Sequence, residues 1–505
     1  MLIKLPIYWS IKSNYDIILT HISHKINGYY SISVFKDQDF FWRFDTLSER
    51  KYKTKADILE RAHQIIGVPL KEIDKTGRLS IGKGAIGSII EESLFGYKIN
   101  SESTPDFEEV GVEVKTTPYI KTNKGIRAKE RLVCNIINYM GEYQCTFETS
   151  SFWKKCRTML LLSYEHKDDV PKGDFMISDV VMFSFPNRDL EIIKNDWNRI
   201  VDKIREGRAH ELSEGDTTYL GACTKGENSL TMRTQPYSDI PAKQRAFAIK
   251  QSYMTYIFNN YIFGNSTDEH IIKNPEDLRS KSFEQYIVEI INPFIGKTQN
   301  SLCERFSLKS SAKNLNELLL ARILGVEGRI SDTEEFKKAN IVPKTIRLNE
   351  DGSITESMSF PAFKFKKLVT EDWEHSEFKE YLEQTKFLFV IFRFRGDSQL
   401  VFDDLFFWHI PDPDLEEVGN VWKRTVEILK RSVKLQTSGK RTFNDFPKSS
   451  ESRVAHVRPH ARDKNDTDEL PDGRMMPKQC FWLNNTYIRE QIECNKQIKG
   501  SDNTK

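Results

Sequence analysis

Pro105-Asp106-Phe107-Glu108-Glu109-Val110-Gly111-Val112-Glu113-Val114-Lys115 is the stretch on which the reading of this chain turns. Its second half alternates as a strand does, and successive side chains of a strand point to opposite faces. Val112 and Val114 therefore share one face, directed at a core, and Glu113 and Lys115 share the other. A bend near Gly111 brings the Asp106 carboxylate beside Glu113. Two carboxylates and a backbone carbonyl form an oxygen donor set suited to Mg2+, which otherwise keeps its waters and takes oxygens of a substrate phosphate. An ammonium at Lys115 can position an attacking water, help to deprotonate it and offset charge building on phosphorus. The bland alternative is a solvated strand face with an ordinary Glu and Lys. The pattern alone leaves that open, and its surroundings decide.

The chain has 505 residues, 38% of them hydrophobic and 11% aromatic. That is long enough for two or three domains and apolar enough for real cores, which excludes a disordered chain. Lys+Arg 75 against Asp+Glu 73 leaves a net charge of +2. A uniformly basic nucleic-acid coat is thereby excluded, and any polyanion site must be a local patch. The cysteines (Cys134, Cys145, Cys156, Cys223, Cys303, Cys480 and Cys494) form no CxxC pair, which argues against both a disulfide framework and a zinc ribbon. No apolar run approaches the roughly 18 residues of a membrane span. The first residues are broken by Lys4, Pro6, Lys12 and Asp16, so a cytoplasmic protein without membrane association is expected.

Residues 1–45, with Tyr29-Tyr30 and Phe40-Phe41-Trp42, read as an N-terminal extension of unknown role carrying two or three strands. Residues 46–263 read as a catalytic domain. KADILERAHQIIG (55–67) sets Ile58, Leu59, Ala62, Ile65 and Ile66 on one helical face, with Gly67 as the stop. A glycine-rich turn and helix follow in GRLSIGKGAIGSIIEESLFG. Strand-like runs come next at 110–117, 131–139 and 158–165, then a helix at 190–207. Residues 243–262 are expected to be helical in their second half. Residues 264–325 read as a helical connector, with one helix stopped before Pro293 and another in LNELLLARILG. A second strand-rich module occupies 326–505, with strands expected in KTIRL, SMSFPAFKFKKL, TKFLFVIFRF and LVFDDLFFWHI before the polar tail KGSDNTK.

The stretch at 105–115 is a PD-(D/E)xK nuclease signature, and its flanks resemble the MutH mismatch-repair endonuclease family. Upstream, Lys83-Gly84-Ala85-Ile86-Gly87-Ser88-Ile89-Ile90-Glu91 is similar to that family's glycine turn and first helix. Downstream, the segment from Glu211 through Lys225 and the run Lys243–Tyr256 resemble its DNA-reading segment. More specifically, the chain resembles the two-domain type II restriction endonucleases that cleave GATC. The resemblance covers residues 75–262 well and the C-terminal half more loosely, and does not extend to 1–45. It implies an α/β restriction-endonuclease-like fold. It implies Asp106 and Glu113 as Mg2+ ligands with the Val114 carbonyl as a third, Lys115 as the catalytic lysine, and Glu91 as a residue orienting lysine or water. Lys225 matches the lysine of the base-reading loop, and Lys250 falls in the second reading segment as a further DNA contact. The Arg-Pro that precedes that lysine in the mismatch-repair members is Cys223-Thr224 here, so the departure falls on how DNA is read rather than how it is cut.

Lys121, Lys124, Arg127, Lys129 and Arg131 form a local basic stripe interrupted only by Glu130. Phosphate contacts belong there, which reconciles DNA binding with the small net charge. Gly82-Lys83-Gly84-Ala85-Ile86-Gly87 fits GxGxxG, but GRLSI before it is too short and polar for the buried strand of a dinucleotide site, so no nucleotide cofactor is expected. His456 and His460 have metal-like spacing without a Cys or acidic partner. Cys134, in an apolar strand, reads as core.

Laid on the first module, the second shows a repeat. Glu335-Phe336 through Val342-Pro343-Lys344-Thr345 aligns without gaps with Asp106-Phe107 through Glu113-Val114-Lys115-Thr116. Valine replaces Glu113 and cannot hold Mg2+, so this copy is not expected to cut. Around Arg458-Pro459-His460 the family's Arg-Pro survives, which makes Arg458 a candidate DNA-reading residue, and Lys478-Gln479 echoes Lys243-Gln244. The expectation is thus a tandem restriction-endonuclease-like fold with a degenerate second copy. The implied activity is Mg2+-dependent double-strand cleavage of DNA at GATC, giving 5′-phosphates, with the second module binding another site as effector. One centre nicks one strand per event, so a two-fold-symmetric site calls for transient self-association on DNA. The alternatives are a strand-directed GATC nickase of mismatch repair and a non-cutting GATC-binding regulator.

Overall fold

The computed structural model describes residues 52–502, apart from 81, 83, 98–103, 124, 227–230, 265–267, 313, 397, 398, 439 and 440. The extension at 1–45, Lys83 and Lys124 lie outside the described residues. The described chain is a mixed α/β protein in two compact units: Tyr52–Tyr119 with Cys156–Ser184, and Ile120–Lys155 with Phe185–Asp502.

The first unit opens with helix α1 (Lys55–His63), started by a reciprocal cap in which Thr54 and Asp57 bond each other's backbone. Gly84, at φ +92, turns the chain into α2 (Ala85–Ile89); the left-handed region is open to glycine at little steric cost. Strand β1 (Glu113–Thr122) runs parallel to β4 (Met159–Glu165), with Glu113 opposite Met159 and Lys115 opposite Leu161. β5 (Ile177–Phe183) pairs antiparallel with β4, so the unit's strands lie in the order β1-β4-β5; the short β2 (Gly125–Ala128) belongs to the second unit. Ile58 and Ala62 of α1, Ile86 and Ile89 of α2, and Val112, Val114, Leu160 and Leu162 of the sheet region form one core. Burying side chains of this size contributes about 1.5–3 kcal/mol each. The strand expected at 110–117 starts later, at Glu113. Residues 107–112 instead make a tight turn in which the Gly111 N–H donates to the carbonyls of Phe107 (2.8 Å) and Glu108 (3.2 Å).

The second unit holds a three-stranded sheet of order β3-β9-β6, with β3 at Leu132–Ile136, β6 at Leu220–Thr224 and β9 at Arg245–Ile249. Hairpin β7 (Met232–Gln235)–β8 (Ser238–Lys243) leads into β9. The expected helix at 190–207 is α3 (Asn187–Arg205), which buries Ile192, Ile193, Trp197, Ile200, Val201 and Ile204. Its Asp196 carboxylate accepts the backbone N–H groups of Thr218, Tyr219 and Leu220, at 2.7, 2.6 and 2.9 Å, fixing the start of β6. After β9 comes α4 (Gln251–Ile257). The connector holds the two expected helices, Phe283–Ile291, ended before Pro293, and Leu315–Ile323, with a further helix Gln299–Arg305 between them.

Farther along, α5 (Glu334–Ala339) precedes β10 (Ile341–Leu348), which runs parallel to β12 (Lys386–Arg395); β13 (Gln399–Trp408) pairs antiparallel with β12. Helix α6 (Asp412–Lys430) follows Pro411. A second sheet joins β11 (Met358–Ser359), β14 (Ala455–Pro459) and β17 (Gln479–Leu483) in the order β11-β17-β14, beside hairpin β15 (Thr467–Glu469)–β16 (Met475–Pro477). SMSFPAFKFKKL is mostly not strand: β11 is brief, Pro361 cannot donate to a ladder, and Phe365–Leu368 forms a helical turn. The polar tail contributes Lys499 to the last turn of α7 (Asn485–Asp502).

Lys338 of α5 is fully buried. Its ammonium lies 2.6 Å from the Asp189 carboxylate of α3, pairs with Glu334, and faces the rings of Tyr219, Tyr253 and Tyr256, the last at 4.7 Å. Removing one partner of a buried ion group strands the other charges away from water. Lys338→Ala is expected to lower unfolding stability by about 3–5 kcal/mol, read as a shift of the urea midpoint with an unchanged slope.

Candidate active site

Glu113 opens β1 and is 2% exposed. A carboxylate in that position needs partners, since an unpaired buried charge is very costly. One oxygen lies 2.7 Å from Lys115 Nζ, and the other accepts the Asp106 N–H at 3.3 Å. Asp106 in turn accepts the Val114 N–H at 2.8 Å. The Glu113 N–H donates to the Thr158 carbonyl at 3.1 Å, locking the strand start against the start of β4. The turn thus folds Asp106 back onto the beginning of β1, and Asp106, Glu113 and Lys115 converge. Val114 points its side chain into the core, which leaves its main chain beside both acids.

Helix α2 continues through Glu91 as a wider turn, Ile90–Leu94. A Cβ placed on Gly87 would lie 3.8 Å from Thr116 Oγ1 and 3.9 Å from Glu91 Oε1. Glu91 is therefore carried against the strand residue that follows Lys115. In the sequence Thr116 stands out only as the residue aligned with Thr345; packing of the helix on β1 is what sets it near Glu91. Among the described residues no group of three or more His, Cys, Asp or Glu gathers as a metal cluster. The site's donors are two carboxylates with main-chain oxygen nearby. That hard, sparse oxygen set fits Mg2+, which retains several waters.

The chain is similar in sequence to known proteins. The family model described as DNA mismatch repair enzyme MutH matches residues 95–196, the span that holds Asp106, Glu113 and Lys115. Type II restriction enzyme Sau3AI from Staphylococcus aureus is 38% identical over 484 residues, 88% of this chain and 99% of that protein. The DNA mismatch repair protein MutH of Shewanella baltica (strain OS155 / ATCC BAA-1091) is 27% identical over 217 residues, 41% of this chain and 95% of the relative. The MutH protein of Shewanella woodyi is 30% identical over 186 residues, 36% and 79%. This chain belongs to the MutH-like type II restriction endonucleases. Among the described residues of this restriction endonuclease, no helix is long and apolar enough to cross a membrane.

The remaining candidate residues lie in the second unit. Lys121, Arg127 and Lys129 are exposed, and Arg131 is half-buried and paired with Glu214. Lys225 is exposed just past β6; its N–H donates to the Gln244 carbonyl at 2.9 Å, and the Gln244 side chain bonds both the Lys225 carbonyl and Arg233. Gln244 thus ties the reading loop to the hairpin, a role its sequence position alone does not reveal. Cys223 is buried against Ala246 and Ala248. Arg458 is exposed, with its guanidinium over the Trp482 ring at 5.2 Å. His456 is buried and bonded to Asn484, and Cys134 is core.

Lys250 corrects an expectation. It is 4% exposed, and its ammonium donates to the Thr217 carbonyl at 2.8 Å, so it is spent inside the fold rather than offered to DNA. Burial, reinforced by repulsion from Lys386, pushes its pKa down to about 7 from an ordinary 10.5. Between those values the unfolded chain holds a proton that the folded chain does not, so stability rises with pH across that window and falls as pH drops toward 7. Lys250→Met removes this titration. The unfolding free energy of wild type minus that of Lys250→Met is expected to rise from about pH 7 to about pH 9, measured by urea unfolding at both.

Proposed function

We propose that this restriction endonuclease hydrolyses both strands of DNA at GATC in a Mg2+-dependent reaction, leaving 5′-phosphates. The observation that carries the reading is the convergence of Asp106, Glu113 and Lys115 at the start of β1. Asp106 and Glu113, with the Val114 carbonyl, would hold the ion; when bound, Mg2+ supplies positive charge to the phosphate under attack. Lys115, as an ammonium, orients the attacking water and stabilises the hydroxide it becomes, the proton passing to solvent. Glu91 positions that lysine or the water. Water oxygen bonds to phosphorus as the bond to the 3′-oxygen breaks, so the products are a 3′-hydroxyl and a 5′-phosphate. GATC rests on the family resemblance, with Lys225 as the base-reading residue and Lys121, Arg127 and Lys129 on phosphates.

The second half, in this reading, is a disarmed copy of the first that binds a second GATC site as effector. Its support is the order of parts. In each half a first strand runs parallel to a second, a third pairs antiparallel, and a 19-residue helix follows a proline. Each then builds a three-stranded sheet with a hairpin inserted before its central strand. At the reading turn, the Lys225 N–H donates to the Gln244 carbonyl and the Gln244 N–H to that of Thr231; His460 to Lys478 and Lys478 to Asp466 repeat the pattern, at 2.8 and 3.1 Å. The acid aligned with Asp106 has been reassigned: the buried Glu335 carboxylate accepts the N–H groups of Ile271 and Ile272. With Val342 in place of Glu113, one centre per chain remains, and two chains meet transiently on a two-fold site. The coverage of nearly the whole Sau3AI enzyme, against 41% of this chain shared with MutH of S. baltica, favours restriction over mismatch-repair nicking.

Incubation with unmethylated plasmid and Mg2+ is expected to give GATC-bounded fragments, with none in EDTA. Glu113→Ala should slow cleavage by at least about 10³-fold, whereas Lys344→Ala should leave the chemistry at a pre-bound site intact. Tight GATC binding without any product from wild type would make the protein a non-cutting regulator. A double-strand rate strictly first order in enzyme on one-site DNA would remove the transient dimer.

A further inference from the structure

Arg157 stands between α-helical Ser151–Cys156 and β4, in the same compact unit as the acidic cluster. Its guanidinium lies over the turn that carries the cluster: a Cβ on Gly111 would fall 3.6 Å from Nη2. Gly111 holds φ +66, so the turn presents bare backbone towards Nη2. The next residue, Thr158, gives its carbonyl to the Glu113 N–H and its hydroxyl to the Lys55 ammonium at 3.3 Å. Arg157 is exposed. Among the described residues it forms no ion pair, although Glu108 and Glu109 stand exposed in the same turn.

A DNA strand that brings a phosphodiester to Asp106 and Glu113 must approach two carboxylates with two more beside them. Coulomb repulsion opposes that approach unless fixed cations stand at the same edge. Lys115 is already committed to Glu113. Arg157 is uncommitted, planar and able to grip two phosphate oxygens at once. We propose that Arg157 is a substrate-positioning residue that clamps a backbone phosphate of the cleaved strand next to the scissile one, with Lys55 as its weaker neighbour. This rests on the acidic cluster being the cutting centre. The clamp holds DNA in register with the cluster and takes no part in proton transfer.

The test uses the full chain and a GATC duplex. Binding is followed by fluorescence anisotropy in EDTA over a salt series, and single-turnover cleavage in Mg2+. Arg157→Gln is expected to raise Kd about 10-fold and to flatten the slope of log Kd against log salt by about one phosphate contact. Arg157→Lys should keep the slope and recover only part of the affinity, because a point charge replaces a fork. Cleavage by Arg157→Gln at saturating DNA should also slow, since a misplaced phosphate is misaligned as well as loosely held. Both variants should melt with wild type, the side chain being exposed. An unchanged Kd and salt slope for Arg157→Gln would overturn the clamp. So would a lower half-saturating Mg2+ with an unchanged slope, which would make Arg157 only a counter-charge to the acids. Binding without cleavage in the wild type would instead sink the cutting centre, and the clamp with it.

Discussion

A carboxylate shut away from water governs this fold's chemistry. Glu113 is tolerable at the start of β1 because Lys115 and the Asp106 N–H meet its carboxylate and the Thr158 carbonyl takes its N–H. Each of those partners imposes geometry. Lys115 must follow two residues later on the same strand face, Thr158 must stand at the head of a parallel neighbour, and the turn through Gly111 must return Asp106. The parallel pairing of β1 with β4 is thus not a neutral scaffold. It is the condition under which two acids and one lysine can be held together, leaving one negative charge that a small cation can answer.

The second half spends its charges differently. Where the first half sets Glu113 and Lys115 at the start of β1, the aligned positions of the second are Val342 and Lys344, and Lys338 there is buried against Glu334 and Asp189. The same strand order therefore carries buried charge in two different places.

What was legible in the sequence was what is local. Asp106, Glu113 and Lys115 lie within one short stretch, so strand alternation and one glycine bend suffice to bring them together. Helix α3 and the stop before Pro293 were legible for the same reason. Lys250 was not, because whether a lysine meets solvent or the Thr217 carbonyl depends on how β6 and α3 close over it. Val110–Val112 alternate like strand, yet the bonds to Phe107 and Glu108 hold them in a turn. In SMSFPAFKFKKL the aromatic residues suggested strand, but Pro361 and the packing of Phe365 in a core won. Arg157 reaches the acidic turn only through the parallel pairing of distant segments, which no spacing rule encodes.

The boundaries at which one would cut this chain into fragments are not boundaries in energy. Asp189 belongs to the stretch that reads as the catalytic domain and Lys338 to the stretch that reads as its companion, yet they share one buried ion group. A C-terminal fragment made alone would keep Glu334 beside the Lys338 ammonium but leave the Asp189 carboxylate behind on the other piece. Each piece would then expose part of an ion group that is buried in the whole chain, so the two modules that read in series share one energetic unit.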